Sequence, residues 1–412
     1  MKIIKDLDMD HFNSLPLEFA SEILARAPAK SVLECKSVCR NWRKIVDTVM
    51  NDPLFSFFQK HLYHVNHPSA AAEDSGMLSF LAYTSSGFQF FEYDQNLELT
   101  IPLGRTREIS STIDFGGRHI GSCNGLICLS PHQPKGLVCI CNPFIQEYVL
   151  LPDIRMGRFD DYHEFNVWSI GFGYVAATNE YKVVVTFVSK SSMLKVHIYT
   201  LDSGNGWRNL GKFSLNKFAP CDLVHGSFAN GAIYWIGRNV NKIVTFDLIE
   251  EKFCQHLALP PLSRRQKKLH QKLGVLDGLL YIAIDTEDKY FDIRLLKKKN
   301  DNGVKKEGER HQSFEWSKEY RVDNELLAVT KNGGVLTYND DEGYVYLYDT
   351  EASTSKELVE FEDEFLQVFP HKNTFVSLKE LKEEDTQKMK PVKRKQESLI
   401  TFKQLQEDAN PD

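Results

Sequence analysis

No stretch of this 412-residue chain holds the ~20 consecutive apolar residues that a membrane-spanning helix needs, and the N-terminal MKIIKDLDMD lacks the apolar run of a signal peptide. Neither a membrane span nor export is therefore expected, and residence in the nucleus, the cytoplasm or both follows. Charge of one sign is equally scarce: the formal net charge is -6, whereas a general nucleic-acid binder would be strongly basic. The eight cysteines, expected to stay reduced in such a compartment, do not form a disulfide framework. Cys123, Cys128, Cys139 and Cys141 cluster in sequence but lack the paired C-x2-C form of a structural zinc site. Alternation in LVCICNP puts Cys139 and Cys141 on one face of a strand, as buried core cysteines.

Catalytic constellations are missing as well. There is no Ser-centred nucleophile elbow, no H-E-x-x-H, no P-loop and no dinucleotide-binding fingerprint. Gly171-Phe172-Gly173 is not followed by a helical pattern, so its glycines are expected to permit a turn. The pairs Asp160-Asp161 and Asp340-Asp341 read as solvated loop charge, and His163, His197 and His225 show no metal-ligand spacing. No cofactor, no metal and no catalytic activity are expected.

What is present begins with the segment Ser14 to Phe58. Phe19, Ile23, Leu24 and Ala27 fall at helical spacing, Pro16 suits a first turn, and Pro28 stops the helix. Ser31 and Glu34 have the form of a capping box for a second helix, and an apolar pattern runs on through Val32, Leu33, Cys35, Val38 and Cys39 to Trp42, Ile45 and Val46. Three short helices result, with Trp42 expected at their centre. About 45 residues make a marginal independent fold, so a partner surface is expected to complete it.

The order Leu15-Pro16-x-Glu18, Ile23-Leu24-x-Arg26, Pro28-x-Lys30-Ser31-Val32-Leu33, Val38-Cys39-Arg40-x-Trp42-Arg43 resembles the F-box motif in its plant-like form. Ala27 stands where a larger apolar residue is commoner, and Cys35 where an aromatic is. The resemblance implies binding to the Skp adaptor, and through it to the cullin and RING subunits of an SCF-type ubiquitin ligase. Leu15, Pro16, Glu18, Ile23, Leu24, Leu33, Val38 and Trp42 are the candidate adaptor-binding residues.

Beyond a linker expected over residues 59–76, the chain changes character. Runs such as MLSFLAYT, GLICLS, YKVVVTFV, AIYWIG, KIVTFDL and YVYLYD have the length and the β-branched and aromatic content of strands. Asn124-Gly125, Asn230-Gly231, Asp277-Gly278 and Asn332-Gly333 each precede a strand, as tight hairpins require. Their glycines are 106, 47 and 55 residues apart, close to two periods and then one period each of ~50, the length of a kelch-type propeller blade. Residues 77–370 thus read as an all-β propeller of about six blades, with seven possible at shorter length.

This region is similar to the F-box-associated domain found downstream of plant F-boxes. The resemblance is carried by Gly121-Ser122-Cys123-Asn124-Gly125-Leu126-Ile127, Asn142-Pro143 leading to Leu151-Pro152, Gly171-Phe172-Gly173-Tyr174, Asn179-Glu180-Tyr181-Lys182-Val183-Val184, and His225-Gly226 before Asn230-Gly231-Ala232-Ile233-Tyr234-Trp235. It implies a kelch-like propeller that presents a substrate-binding face. The expected fold is α+β multidomain: a small three-helix F-box over residues 10–58, then the propeller.

Loops are the default binding elements of such a domain. Arg155, Arg158, Phe159, Tyr162, Phe165 and Trp168, in RMGRFDDYHEFNVW, are the candidate contacts for an unidentified protein substrate. The basic stretch Arg264 to Lys272 reads as a solvated or substrate-attracting loop, and Lys297 to Gln312 as an extended one. Residues 379–412 are charged and expected to be disordered. Within them Lys390 and Lys393 to Lys395 resemble a nuclear-localisation cluster. Gln396, Leu399 and Phe402 have part of a sliding-clamp-binding spacing, with Lys403 where a second aromatic belongs. The expected function is that of a non-catalytic substrate-recognition subunit; the alternatives are a Skp-binding protein outside a ligase, or a propeller receptor for a small ligand.

Overall fold

A computed structural model describes residues 15–389 apart from 53, 55, 67–75, 85–86, 106–117, 131–137, 155–164, 190–192, 215–224, 238–241, 255, 264–265, 299–313, 340–341 and 362–364. Among the described residues four helices come first: α1 (Leu17–Arg26), α2 (Ala29–Val38), α3 (Arg40–Asn51) and α4 (Phe57–Asn66). Pro16 opens α1 by accepting the amides of Phe19 and Ala20 through its carbonyl, and Pro28 separates α1 from α2. The second helix starts at Ala29, two residues before the expected capping box, so Ser31 lies inside it and Pro28 holds the N-cap position. Cys39 has extended backbone and ends α2; its Sγ accepts the Trp42 amide at 3.4 Å and so caps α3.

Two expectations about this unit are corrected. The stretch 59–76 is not linker throughout, because residues 59–66 belong to α4, which lies against α1 and buries Phe57, His61 and Leu62. Trp42 is half-buried and is not the centre. The core instead joins Ala20 and Leu24 of α1, Val32 of α2, and Ile45, Val46 and Val49 of α3.

The remaining described elements are strands. Blade one holds β1 (Met77–Thr84), β2 (Gly87–Asp94) and β3 (Leu99–Arg105); blade two holds β4 (Arg118–Cys123), β5 (Leu126–Ser130), β6 (Cys139–Asn142) and β7 (Glu147–Leu150). Blade three is β8 (Phe165–Val175), β9 (Glu180–Ser189), β10 (Met193–Thr200) and β11 (Arg208–Ser214). Blade four is β12 (His225–Ala229), β13 (Ala232–Gly237) and β14 (Lys242–Asp247), edged by β15 (Lys252–Phe253) and β16 (Leu257–Ala258). Blade five is β17 (Gln266–Leu276), β18 (Leu279–Thr286), β19 (Phe291–Lys298) and β20 (Phe314–Val322). Blade six is β21 (Glu325–Val329), β22 (Val335–Asn339), β23 (Tyr344–Asp349) and β24 (Thr354–Glu360).

The last long strand, β25 (Phe365–Pro370), returns to blade one and pairs antiparallel with β1, Leu81 facing Phe369. The strands β4, β8, β12, β17, β21 and β25 neighbour one another in a closed circle, and β8 pairs β12 in parallel. They are the inner strands of a six-bladed propeller whose first blade is completed by the C-terminal part of the chain.

Because strands within a blade are antiparallel, the turns after its first and third strands share one end of the ring, called here the turn face. The connections after the second and fourth strands share the other end, the loop face. Asn124-Gly125, Asn230-Gly231 and Asp277-Gly278 are first-to-second-strand turns on the turn face, with φ of 50° and 81°, 49° and 77°, and 48° and 77°. Two consecutive positive φ values are what a two-residue type I′ hairpin demands. At the fourth site only Gly333 has positive φ, in a longer turn closed by Thr330 and Gly334.

Gly171-Phe172-Gly173 is not a turn but the middle of β8. A Cβ on Gly171 would stand 2.7 Å from Ile233 Cδ1 and 3.0 Å from Trp235 Cζ2, so Gly171 admits the fully buried Trp235 between the inner strands of blades three and four, while Gly173 makes room for Phe228 and Leu248. Of the basic stretch Arg264 to Lys272, expected as a loop, the part from Gln266 is the start of β17, whose backbone pairs with β18. Cys123, Cys128, Cys139 and Cys141 are buried in blade cores, and burial pushes the Cys123 thiol up to about 12.

After β25 residues 371–389 are ordered, so the disorder expected from residue 379 does not hold over 379–389. Residues 371–389 cross the turn face of blade two as a strap and end in β26 (Gln387–Lys388), which pairs with β7. Leu378 and Met389 are buried, and the strap's charges lie mostly outward. The cluster Lys393 to Lys395 and the Gln396 to Phe402 spacing lie outside the described residues.

Candidate functional site

Two apolar faces run along α1. Ala20, Leu24 and Ala25 turn inward, while Pro16, Phe19 and Ile23, at i, i+3 and i+7, form an outward stripe. Phe19 is 61 % exposed and Ile23 50 %, values that no folding argument for the isolated chain explains. Phe19 is absent from the sequence-derived candidates because those follow the motif positions, Leu15-Pro16-x-Glu18 and Ile23-Leu24-x-Arg26, between which it falls. The available signal was its i, i+4 relation to Ile23 and the equal claim of Ala20 and Leu24 to the inner face.

The candidates separate by position. Pro16, Glu18, Ile23, Leu33 and Val38 are exposed, Leu15 and Trp42 are half-buried, and Leu24 is only 2 % exposed. Leu24 follows Ile23 by one residue and so points about 100° away from it around the helix, which puts it beneath the stripe rather than in it. Leu33 and Val38 of α2 are five residues apart, about 140° around the helix, so they extend the apolar surface in two directions.

Ion pairs bound the stripe. Glu22 bonds Lys60 of α4 at 2.6 Å and Arg26 at 3.3 Å; the Lys60 hydrogen bond holds its carboxyl below the usual carboxylate range. Lys36 pairs with Asp47 at 2.8 Å, tying α2 to α3. Such exposed pairs add little stability but fix which side chains stand beside the apolar stripe.

The helical unit sits on the turn face of blade two. Phe375 of the strap meets the rings of His61, Phe144, Phe57 and Phe58 at centroid distances of 5.2, 5.6, 5.8 and 6.1 Å. His61 is buried, its Nδ1 3.2 Å from the Ala25 carbonyl, and burial pulls its pKa down. Phe144 and Ile145 come from the turn between β6 and β7. Sequence reasoning missed this joint because Phe375 lies more than 200 residues from both Phe144 and the rings of α4.

On the loop face, β7 ends and β8 begins on either side of the candidate substrate segment. Arg155, Arg158, Phe159 and Tyr162 lie outside the described residues. Phe165 and Trp168 are in β8 rather than in a loop, their backbones opposite Ser189 and Phe187 of β9. The helical unit and the loop face are at opposite ends of the ring. Among the described residues, no group of three or more His, Cys, Asp or Glu gathers as a metal site, and no helix is long and apolar enough to cross a membrane.

Comparison with known proteins agrees with this division. A family described as "F-box domain" matches residues 12–53, and one described as "F-box associated beta propeller domain" matches residues 77–380. The F-box protein At3g07870 of Arabidopsis thaliana is 26% identical over 340 residues, which is 75% of this chain and 72% of its own length. The F-box/kelch-repeat protein At3g23880 of the same plant is 24% identical over 304 residues, 69% of this chain and 76% of its own. The putative F-box/kelch-repeat protein At1g13200, also of Arabidopsis thaliana, is 27% identical over 378 residues, 79% of this chain and 81% of its own.

Proposed function

The chain belongs to the F-box proteins that carry an associated β-propeller domain, and from that premise we propose that it is a non-catalytic substrate-recognition subunit of an SCF-type ubiquitin ligase. Its helical unit binds the Skp adaptor, and through it the cullin and RING subunits, while the loop face of the propeller binds a protein substrate for ubiquitination and degradation. Action in the nucleus or the cytoplasm goes with this reading.

The observation that carries it is the outward stripe of Pro16, Phe19 and Ile23 on a unit seated at the end of the ring away from the loop face. A helix that keeps an apolar face uncovered after folding favours a partner, and side chains such as Phe19 are what bury well at the centre of an interface. The chemistry belongs to the other subunits. This chain's part is to hold the substrate beside the transfer site, so that an otherwise bimolecular step proceeds at a high effective concentration.

The test is adaptor binding by a Phe19→Ser, Ile23→Ser variant. Both side chains are exposed, so the melting temperature should be unchanged while affinity for purified Skp adaptor falls about thirtyfold or more, as loss of interface anchors requires. Undiminished affinity would sink the assignment. Leu15 and Leu24 are poorer probes, since both also pack in the helical core.

A further inference from the structure

Several turn-face residues of blade two converge on the strap. The buried side-chain amide of Asn142 donates to the carbonyls of Thr374 (3.0 Å) and Val376 (2.9 Å), one on each side of Phe375. The same side chain accepts the amide of Phe144 at 3.1 Å through Oδ1. Thr374 Oγ1 donates to the Asn124 carbonyl at 2.8 Å, and a Cβ at Gly125, whose φ is +81°, would fall on the Thr374 side chain. Farther along, Glu147 is buried and accepts from Ser377 Oγ (2.8 Å), the Leu378 amide (3.0 Å) and Lys388 Nζ (3.0 Å).

Phe375 is thereby held by its neighbours' backbone and projects as the central ring of the joint with α4. The strap begins at once after β25, the strand that closes the propeller, so one continuous stretch closes the ring and seats the helices. We infer that residues 371–389 are an orientation clamp, with Phe375 as its pin and Asn142 as the positioning residue that presents both Phe375 and Phe144 to the helical unit. Domains joined only by a linker are expected to move relative to each other. Here the clamp makes the helical unit and the ring one body, so the loop face keeps a fixed bearing to whatever the helices bind. This use of the fixed bearing rests on the adaptor reading above; the clamp itself does not.

The experiment is a distance measurement by pulsed electron resonance on the full chain without adaptor. Spin-labelled non-canonical residues replace the exposed Ser37 of α2 and the exposed Glu287 between β18 and β19. The parent should give one narrow distance distribution. In Asn142→Asp, which loses both donated bonds, and in Phe375→Ser, its width should about double as the units move apart, with secondary structure by circular dichroism retained and adaptor affinity unchanged. A distribution as narrow as the parent's in both variants would overturn the clamp. If Phe375→Ser impairs ring closure, Phe144→Ser carries the test, because that side chain belongs to a surface turn; there too a widened distribution supports the clamp and a narrow one refutes it. Failure of the adaptor reading would appear separately, as absent adaptor binding by the parent.

Discussion

Substituting Gly171 by alanine should damage the ring out of proportion to one added methyl. The new Cβ would meet Ile233 and Trp235, both fully buried, and Gly226 presses on the same two side chains from β12, so neither can retreat toward it. Overpacking of this kind costs about 1–3 kcal/mol. If the indole shifts, the bond from Trp235 Nε1 to the Ile170 carbonyl, already 3.4 Å long, is lost and a buried donor is orphaned at a cost of about 1–3 kcal/mol. The expected loss of roughly 2–6 kcal/mol is a large part of the 5–15 kcal/mol that typically holds a domain. The assay is urea unfolding followed by tryptophan fluorescence, for the parent, Gly171→Ala, Ile233→Ala and the double variant. Ile233→Ala alone should cost about 2–5 kcal/mol as a cavity. Because it also removes the atoms that the new methyl strikes, the double variant should be at least about 1 kcal/mol more stable than the two losses added together. Strict additivity, or an unchanged midpoint in Gly171→Ala, would refute the close-approach account of β8.

Acidification and one buried cation give two further expectations. Burial pulls His371 down to about 3 and His197 to about 4, both below the unfolded value, so the unfolded chain takes up these protons first. Stability is then full above pH 6.5 and falls as pH drops from 6.5 to 5, by about 1.4 kcal/mol per pH unit for each histidine. Melting temperatures across that window should drop more gently in His371→Gln, and an identical slope would count against the assignment. Lys182 is buried between blades three and four, where its Nζ meets the Leu248 carbonyl at 3.1 Å and Glu251 at 2.9 Å. Burial alone would raise the Glu251 carboxyl, but hydrogen bonds from Arg208 and Lys182 hold it below its usual value. Lys182→Met should cost about 3 kcal/mol in urea unfolding, the low end for a broken buried pair because Arg208 remains; no measurable loss would remove the ion pair from the account of blade contact.

The helices and most strands were legible from the sequence because their signals are local: helical spacing in Phe19 to Ala27, alternation in LVCICNP, and Asn-Gly before a strand. The period between those turns also led to six blades. What was hidden depends on distant partners. Gly171 and Gly173 read as a turn because nothing in their neighbourhood announces the blade-four side chains that pack on them, Trp235 on Gly171 and Phe228 on Gly173. From residue 379 the strap read as disorder because its apolar anchors there, Leu381 and Met389, are few and separated by charges that face mostly outward. Of the adaptor-facing candidates, Pro16 and Ile23 were legible as motif positions, but which side of α1 faces out was not. Phe19 and Leu24 have equal apolar character, and only packing against α3 and α4 decides between them.

The return of the chain to blade one also imposes an order of events during synthesis. Strand β3 ends at Arg105 and β25 begins at Phe365, so β1, already paired with β2, must wait for its inner-edge partner until 260 further residues have been made. At 5–20 residues per second that interval is about 13–52 s, during which the inner edge of β1 is available to other chains. A product that stops before Phe365 keeps that edge for good and also lacks the seat for its helices. Completion of the polypeptide is therefore written into the architecture as a checkpoint: a nascent or prematurely ended copy cannot hold its two ends in the working arrangement.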